Sequence, residues 1–376
     1  MRTQEGPLGH PLRNIKALLL MGDGPSGVPD SVYSALALPT VGPLDPGFDE
    51  ILDRLQGQLR NIFNVSDGVC AVLDGPAAVG METCLVNLLE PGERLLVLDN
   101  GMGGERLRET AQRLGLAVDV LTVPWGDPVL SEQVAQRLAR SDYHAVVMVH
   151  AESSTGVRSP VGAVGDLVSM HGALFIVDCE TSLGGMDVDM ARWRADALFA
   201  SSHKCLSCPP GLAPVAFSMR ALDRVGRRRT PIPGRYFDIA LHLDYWQGAP
   251  RVCHLMPSVN LLYALHMALE GVLNEGLPNV FARHRAAHEQ LVTGLAALGL
   301  RPLADVPWRL PMLHVVPAPE GVDAEDVRGR LRAEHGIEIG GGVGRLAGRV
   351  WRIGLMGHSA RTTNVVALLE ALGRLL

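Results

Sequence analysis

The chain lacks a long apolar run. None of its apolar stretches reaches the roughly 18 residues that a membrane-spanning helix needs. Residues 1–16 hold no apolar segment of the secretory type, and Ala17-Leu18-Leu19-Leu20-Met21 is only strand-sized. A soluble, cytoplasmic protein with no membrane partner is expected. Charge of one sign is also lacking: 34 Lys and Arg against 40 Asp and Glu leave a net charge of -6. No overall basic field invites nucleic acid or anionic lipid. The one basic cluster, Arg224, Arg227, Arg228 and Arg229, reads as a solvated loop. Cysteines are few: Cys70, Cys84, Cys179, Cys205, Cys208 and Cys253. Several lie in apolar patterns, as small buried hydrophobes do in a reducing compartment. Cys205 and Cys208 form a CxxC with no second pair and no nearby histidine pair, so no metal site is expected. Internal repeats and low-complexity segments are missing too.

What is present is alternation. Residues 48–63 read as a helix, with Phe48, Ile51, Leu52, Leu55, Leu59 and Ile62 at three- and four-residue steps. Strand-like runs at 69–73, 94–98, 117–122, 145–150 and 174–178 alternate with helical segments at 80–89, 105–114, 131–138 and 164–171. Such alternation predicts an α/β fold with a parallel sheet covered by helices on both faces. After Met256 the pattern changes to long helices over 258–275 and 280–298. Strands at 313–316 and 349–353, a helix at 324–334 and a final helix from 363 complete the chain. The expected division is an N-terminal extension with the first strand (1–21), a large domain (22–275) and a smaller C-terminal α+β domain (276–376).

In open α/β sheets the reactive groups gather at the carboxyl ends of the strands. Asp74, His150, Asp178 and Lys204 all follow strand-like runs. Lys204 sits in Ala200-Ser201-Ser202-His203-Lys204-Cys205, between an apolar run and the turn Pro209-Pro210-Gly211. A lysine at one strand end, with an aspartate at a neighbouring one, suits pyridoxal phosphate chemistry. The amine forms a Schiff base with the aldehyde, and the acid keeps the pyridine nitrogen protonated so that the ring can take up electrons.

These segments together resemble the class V aminotransferases, of fold type I, and within them the alanine/serine–glyoxylate (pyruvate) aminotransferase group. The resemblance is carried by Gly22-Asp23-Gly24-Pro25-Ser26 and by Thr40-Val41-Gly42-Pro43-Leu44-Asp45-Pro46. It continues through Gly80-Met81-Glu82, Val86-Asn87-Leu88-Leu89-Glu90-Pro91-Gly92 and His150-Ala151-Glu152-Ser153-Ser154-Thr155-Gly156-Val157. Val177-Asp178, Ser182-Leu183-Gly184-Gly185, Lys204-Cys205-Leu206 and Trp351-Arg352-Ile353-Gly354-Leu355-Met356-Gly357 follow in family order. The resemblance implies a homodimer with active sites at the subunit interface, pyridoxal 5'-phosphate as cofactor, and small amino acids and 2-oxo acids as substrates. It implies Lys204 as Schiff-base lysine and acid/base, and Asp178 as partner of the ring nitrogen. Ser153 is expected near the ring oxygen. Arg352 is expected on the substrate carboxylate, whose two oxygens suit a planar fork. Gly24 falls in the substrate loop. Gly75, Pro76, Ala77, His203 and, from the neighbouring subunit, Met256 fall where the family binds the cofactor.

The chain also departs from that family. Its phosphate loop reads Asp74-Gly75-Pro76-Ala77-Ala78, without the usual hydroxyls. Gly103 stands where an aromatic residue commonly stacks on the ring, a loss of roughly 0.5–1.5 kcal/mol of specific contact. Cys253-His254-Leu255-Met256-Pro257 replaces a tyrosine and a threonine, Pro43 a histidine, and His203 a glutamine. A binding or regulatory protein with weakened cofactor affinity, an enzyme using a phosphate-free vitamer, or another pyridoxal phosphate reaction are the alternatives these changes leave open.

Overall fold

The computed structural model describes residues 15–376; the first part of the expected N-terminal extension lies outside them. Seven strands form the main sheet: β1 (Val69–Asp74), β2 (Arg94–Asp99), β3 (Ala117–Thr122), β4 (Ala145–Val149), β5 (Leu174–Asp178), β6 (Ala197–Phe199) and β7 (Leu212–Phe217). Their order across the sheet is β1-β7-β6-β5-β4-β2-β3. Pairing is parallel throughout except at β7, which runs antiparallel to both β1 and β6. β4 and β5 are buried along their whole length and are apolar except for Asp178, as strands covered on both faces are.

The helix Ala77–Leu88 starts three residues earlier than the periodicity suggests, because Pro76 sets its N-cap. Its far end corrects the reading of the basic cluster as a solvated loop. Arg224 Nε donates to the Leu88 carbonyl at 3.0 Å and pairs with Glu93 at 2.6 Å; Arg228 Nη1 donates to the Leu89 carbonyl at 2.7 Å. Two guanidinium groups thus satisfy carbonyls at a helix C-terminus, where the helix dipole favours positive charge.

Among the described residues there are two large apolar cores and a small third one around Cys205, Leu310, Met312 and Met356. The first gathers buried residues between Val32 and Leu269; the second joins Met21 to residues between Ala287 and Leu372. The second core lies under a small antiparallel sheet of order β8-β10-β9, made of β8 (Leu313–Pro317), β9 (Gly340–Gly341) and β10 (Val350–Gly354). The early strand Leu19–Leu20 pairs in parallel with Ile337–Glu338, so this strand lies with the C-terminal part of the chain, and the residues after it cross to the main sheet. That crossing carries residues 22–27 over the end of β6. All six cysteines are free, and five of them are buried. Among the described residues no helix is long and apolar enough to cross a membrane, and no group of three or more candidate metal ligands occurs.

Candidate active site

Asp178 ends β5, with Val149 opposite it on β4 and Phe199 opposite it on β6. The loop after β6 therefore passes directly beside it, and that loop carries Lys204. Two bonds from the crossing segment hold the lysine's backbone: Ser26 N donates to the His203 carbonyl at 3.0 Å, and Ser26 Oγ to the Lys204 carbonyl at 2.6 Å. The residue is buried. Its Nζ donates to the Asp23 carbonyl and lies 3.7 Å from Glu180 Oε1. Gly24 has φ +119°, and a Cβ there would fall 2.9 Å from both Cδ and Nζ of Lys204. Any side chain at 24 would strain the backbone and displace the amine.

Asp178 is buried, and its Oδ1 accepts from Glu180 N at 2.7 Å. Burial, followed by the nearby Glu180 carboxylate, pushes its acid well above the ordinary carboxylate range. A protonated ring nitrogen beside it would offset that cost and hold the anion.

Arg352 lies on β10 between Trp351 and Ile353, both fully buried in the second core. Alternation turns its side chain the other way, into the pocket that holds Lys204. Nη1 meets Asp23 Oδ2 at 2.7 Å and Nε donates to the Gly341 carbonyl at 2.6 Å. Nη2 has no partner among the described residues, so part of the fork remains for a ligand. Asp23 therefore touches both cations of the site, Lys204 through its carbonyl and Arg352 through its carboxylate.

Lys204, Asp178, Arg352, Ser153, Ala77 and Ala78 line one pocket, joined by Gly103, Glu152 and Glu180. Gly75 and Pro76 lead into it. His203 stands behind it, 4.0 Å from Glu180 Oε1. Met256 is 73% exposed and does not line this pocket. Two members of the strand-end constellation are not brought in. His150 is buried edge-on against Trp193, ring centroids 4.6 Å apart, and burial pushes it down to about 3. It is a core residue. Asp74 turns away to accept from Ser258 N at 2.9 Å, so it does not oppose an anion at the helix start.

Sequence reasoning missed Glu180 and gave no role to Glu152. Glu152 Oε1 accepts from Ser154 N at 2.9 Å and Ser154 Oγ at 2.6 Å, and Oε2 from Gly103 N at 3.0 Å. Burial raises its acid above the usual range, against the pull of those bonds. A Cβ on residue 103 would lie 2.7 Å from Oε2 and 2.9 Å from Val149 Cγ2. Glycine at 103 is what lets Glu152 sit there.

Pyridoxal phosphate fits these residues. The buried amine and the buried acid face one pocket. The first N–H groups of the helix at Ala77 and Ala78 have no intrahelical acceptor and open onto it, as an anion requires. His203 Nδ1 is buried without a partner among the described residues, leaving one more polar atom for that anion.

Together the sheet order and this pocket define a pyridoxal phosphate enzyme of fold type I. Residues 45–350 match the family model described as aminotransferase class-V, and the chain belongs to that family. It is 35% identical to the (S)-ureidoglycine–glyoxylate transaminase of Bacillus subtilis (strain 168), over 96% of this chain and 90% of that protein. The crystal structure of an alanine–glyoxylate aminotransferase from Nostoc sp. superposes with a TM-score of 0.94 at 38% identity, covering 99% of this chain and 97% of the other. The pyridoxamine–pyruvate aminotransferase of Mesorhizobium loti gives a TM-score of 0.91 at 28% identity, covering 96% and 92%. The protein is a pyridoxal phosphate-dependent aminotransferase that passes an amino group from an amino acid to a 2-oxo acid.

Proposed function

We propose that the amino donor is a small amino acid of the alanine or serine kind and the acceptor a small 2-oxo acid such as glyoxylate or pyruvate. One observation carries this: a buried amine, a buried acid, a half-free guanidinium and an open helix N-terminus line a single pocket. The bound cofactor supplies the aldehyde and an electron-accepting ring. Lys204 holds that aldehyde and, once displaced by substrate, moves the α-proton on Nζ. Asp178 would keep the ring nitrogen charged, and Ser153, which lines the same pocket, would stand beside the ring. Arg352, steadied by Asp23, holds the substrate carboxylate, with Gly24 leaving room for both. The N–H groups from Ala77 onward, presented by the turn Gly75-Pro76 and helped by His203, hold the phosphate.

The working form in this reading is a cytoplasmic homodimer with a large domain over 22–275 and a small one over 276–376. Leu38, 53% exposed, lines an apolar groove, and Tyr33, Leu44, Val252 and Met256 are 53%, 56%, 56% and 73% exposed. A second copy covering these residues would bring Met256 to a partner's site. Light scattering on the purified protein gives the mass directly, and a monomer at micromolar concentration would refute the dimer.

The function is tested by the visible spectrum with and without pyridoxal phosphate, then by borohydride reduction and mapping of the modified lysine. A pyridoxyl adduct on Lys204 is expected, absent from Lys204→Ala. No adduct at saturating cofactor would overturn the proposal. Pro76 offers no N–H and residues 74–78 no hydroxyl, which favours a second reading in which a phosphate-free vitamer is the substrate. An adduct formed as readily with pyridoxal as with its phosphate would establish it.

A further inference from the structure

Glu180 faces the reacting amine, yet the reaction as described gives it no task. We infer that Glu180 is the proton relay of this site, carrying protons between Lys204 Nζ and solvent, with the His203 imidazole beside it. The inference rests on the proposal that Lys204 moves the substrate α-proton.

Nζ is buried and has two polar neighbours among the described residues. The Asp23 carbonyl accepts a hydrogen bond but cannot take the proton. Glu180 Oε1, 3.7 Å away, can. The carboxylates of Asp23, Glu152 and Asp178 line the same pocket but make no ion pair with Nζ, and Asp178 would be taken up by the ring nitrogen. The same Oε1 lies 4.0 Å from His203 Nε2, so one oxygen stands between amine and imidazole. Burial, then the Lys204 charge, lowers His203 below its ordinary value, so its imidazole is neutral and has one free lone pair. The Glu180 side chain is 28% exposed against 8% for that of Lys204 and 16% for that of His203, so Glu180 is the wettest of the three and meets solvent directly. A small rotation or one water closes both gaps.

The step balances without an oxidant or reductant. The substrate's α C–H bond would break with its electron pair left on the substrate side, where a bound cofactor would accept it, and the proton would form an N–H bond on Nζ. That ammonium then gives a proton to Glu180 Oε1, which hands it to water. The return runs along the same atoms. The relay therefore decides whether the α-proton stays in the site or exchanges with water.

The test is a single half-reaction of the holoenzyme with α-deuterated alanine, without 2-oxo acid, reading deuterium released to water against deuterium kept on the aminated cofactor. In the wild type most label is expected in water. In Glu180→Gln the rate of washout should fall by about 100-fold, the size of a lost acid–base group, so most label is kept. Glu180→Ala should behave alike, and added formate should restore washout, a response that packing alone does not give. Equal partitioning in the wild type and Glu180→Gln, or no formate rescue of Glu180→Ala, would overturn the relay. Lack of a Lys204 adduct in the wild type would instead overturn the aminotransferase reading beneath it.

Discussion

Replacing Arg352 by alanine removes the group assigned to the substrate carboxylate, and the structure sets the size of the effect. Arg352 already spends Nη1 on Asp23 and Nε on the Gly341 carbonyl, leaving Nη2 for substrate. A hydrogen bond to a charged group contributes about 1.5–3 kcal/mol, so KM for alanine should rise about tenfold to 150-fold. Asp23 loses its cation too, but its side chain is 25% exposed and water can solvate it. Cofactor binding should survive, because the helix start at Ala77 and the amine of Lys204 are untouched. Arg352→Lys keeps a charge without the fork and should recover only part of the loss. The assay is the half-reaction with alanine and with ethylamine, the same amine without its carboxylate. The wild type should prefer alanine strongly, and Arg352→Ala should erase most of that preference by slowing alanine alone. If both amines slow equally, or the alanine KM stays within about twofold of wild type, the assignment of Arg352 fails.

Asp178→Asn keeps the shape at the end of β5 but removes the anion. The cofactor should still form its Lys204 adduct, while turnover falls about tenfold to 100-fold, the value of one charge-assisted bond; unchanged turnover would refute the role. Gly80→Ala would bring a Cβ 2.9 Å from Phe199 Cβ and 3.3 Å from Val215 Cγ1, so the helix that presents Ala77 must lift off the sheet. Overpacking of this kind costs about 1–3 kcal/mol, read as a lower urea midpoint together with weaker cofactor retention; an unchanged midpoint would refute the close approach. Stability should fall in mild acid. Burial pushes His150 and His314 down to about 3 and His284 to about 4, from 6.5. Below pH 6.5 the unfolded chain takes up protons that the folded one refuses, so stability present above that pH is lost as pH drops. Each histidine accounts for about 2 kcal/mol at pH 5, a large share of the whole. The raised acids of Asp178, Glu152, Asp99 and Asp196 work in the opposite sense, since there the folded state holds the extra proton, but burial also lowers His203, His242, His254, His266, His288 and His358, which adds to the histidine side. A urea midpoint no lower at pH 5 than at pH 7.5 would refute this account.

The strand ends made Lys204 and Asp178 legible, because apolar runs stop there and a charged residue follows. Arg352 was legible through alternation: its two neighbours are apolar and it is not. β7 escaped because Pro214 interrupts it, and proline argues against a strand flanked on both sides. It survives there, its carbonyl accepting from Ala200 N at 2.9 Å just beyond β6. β9 is Gly340-Gly341, which has no side-chain pattern to read. Glu180 was invisible for a different reason. It lies in a loop without period, and only the fold brings it to Lys204, 24 positions on. The same holds for Asp23, whose contacts with Lys204 and Arg352 join segments far apart in the chain.

The phosphate loop shows how a departure in sequence becomes a change of role. Read alone, Asp74 opposes an anion and Ala77 and Ala78 offer it nothing. In the fold the helix start offers an anion its backbone, and alanine N–H groups donate as well as those of serine. Asp74 belongs to another structure. Its carboxylate accepts from Ser258 N, its carbonyl accepts from the Tyr236 hydroxyl, and Tyr236's own carbonyl is bonded to His242 Nε2 at 2.7 Å. Asp74 thus ties the end of β1 to the segment that carries Met256. Removing its charge would release that segment rather than improve the anion subsite, because the acid and the helix start face different neighbours.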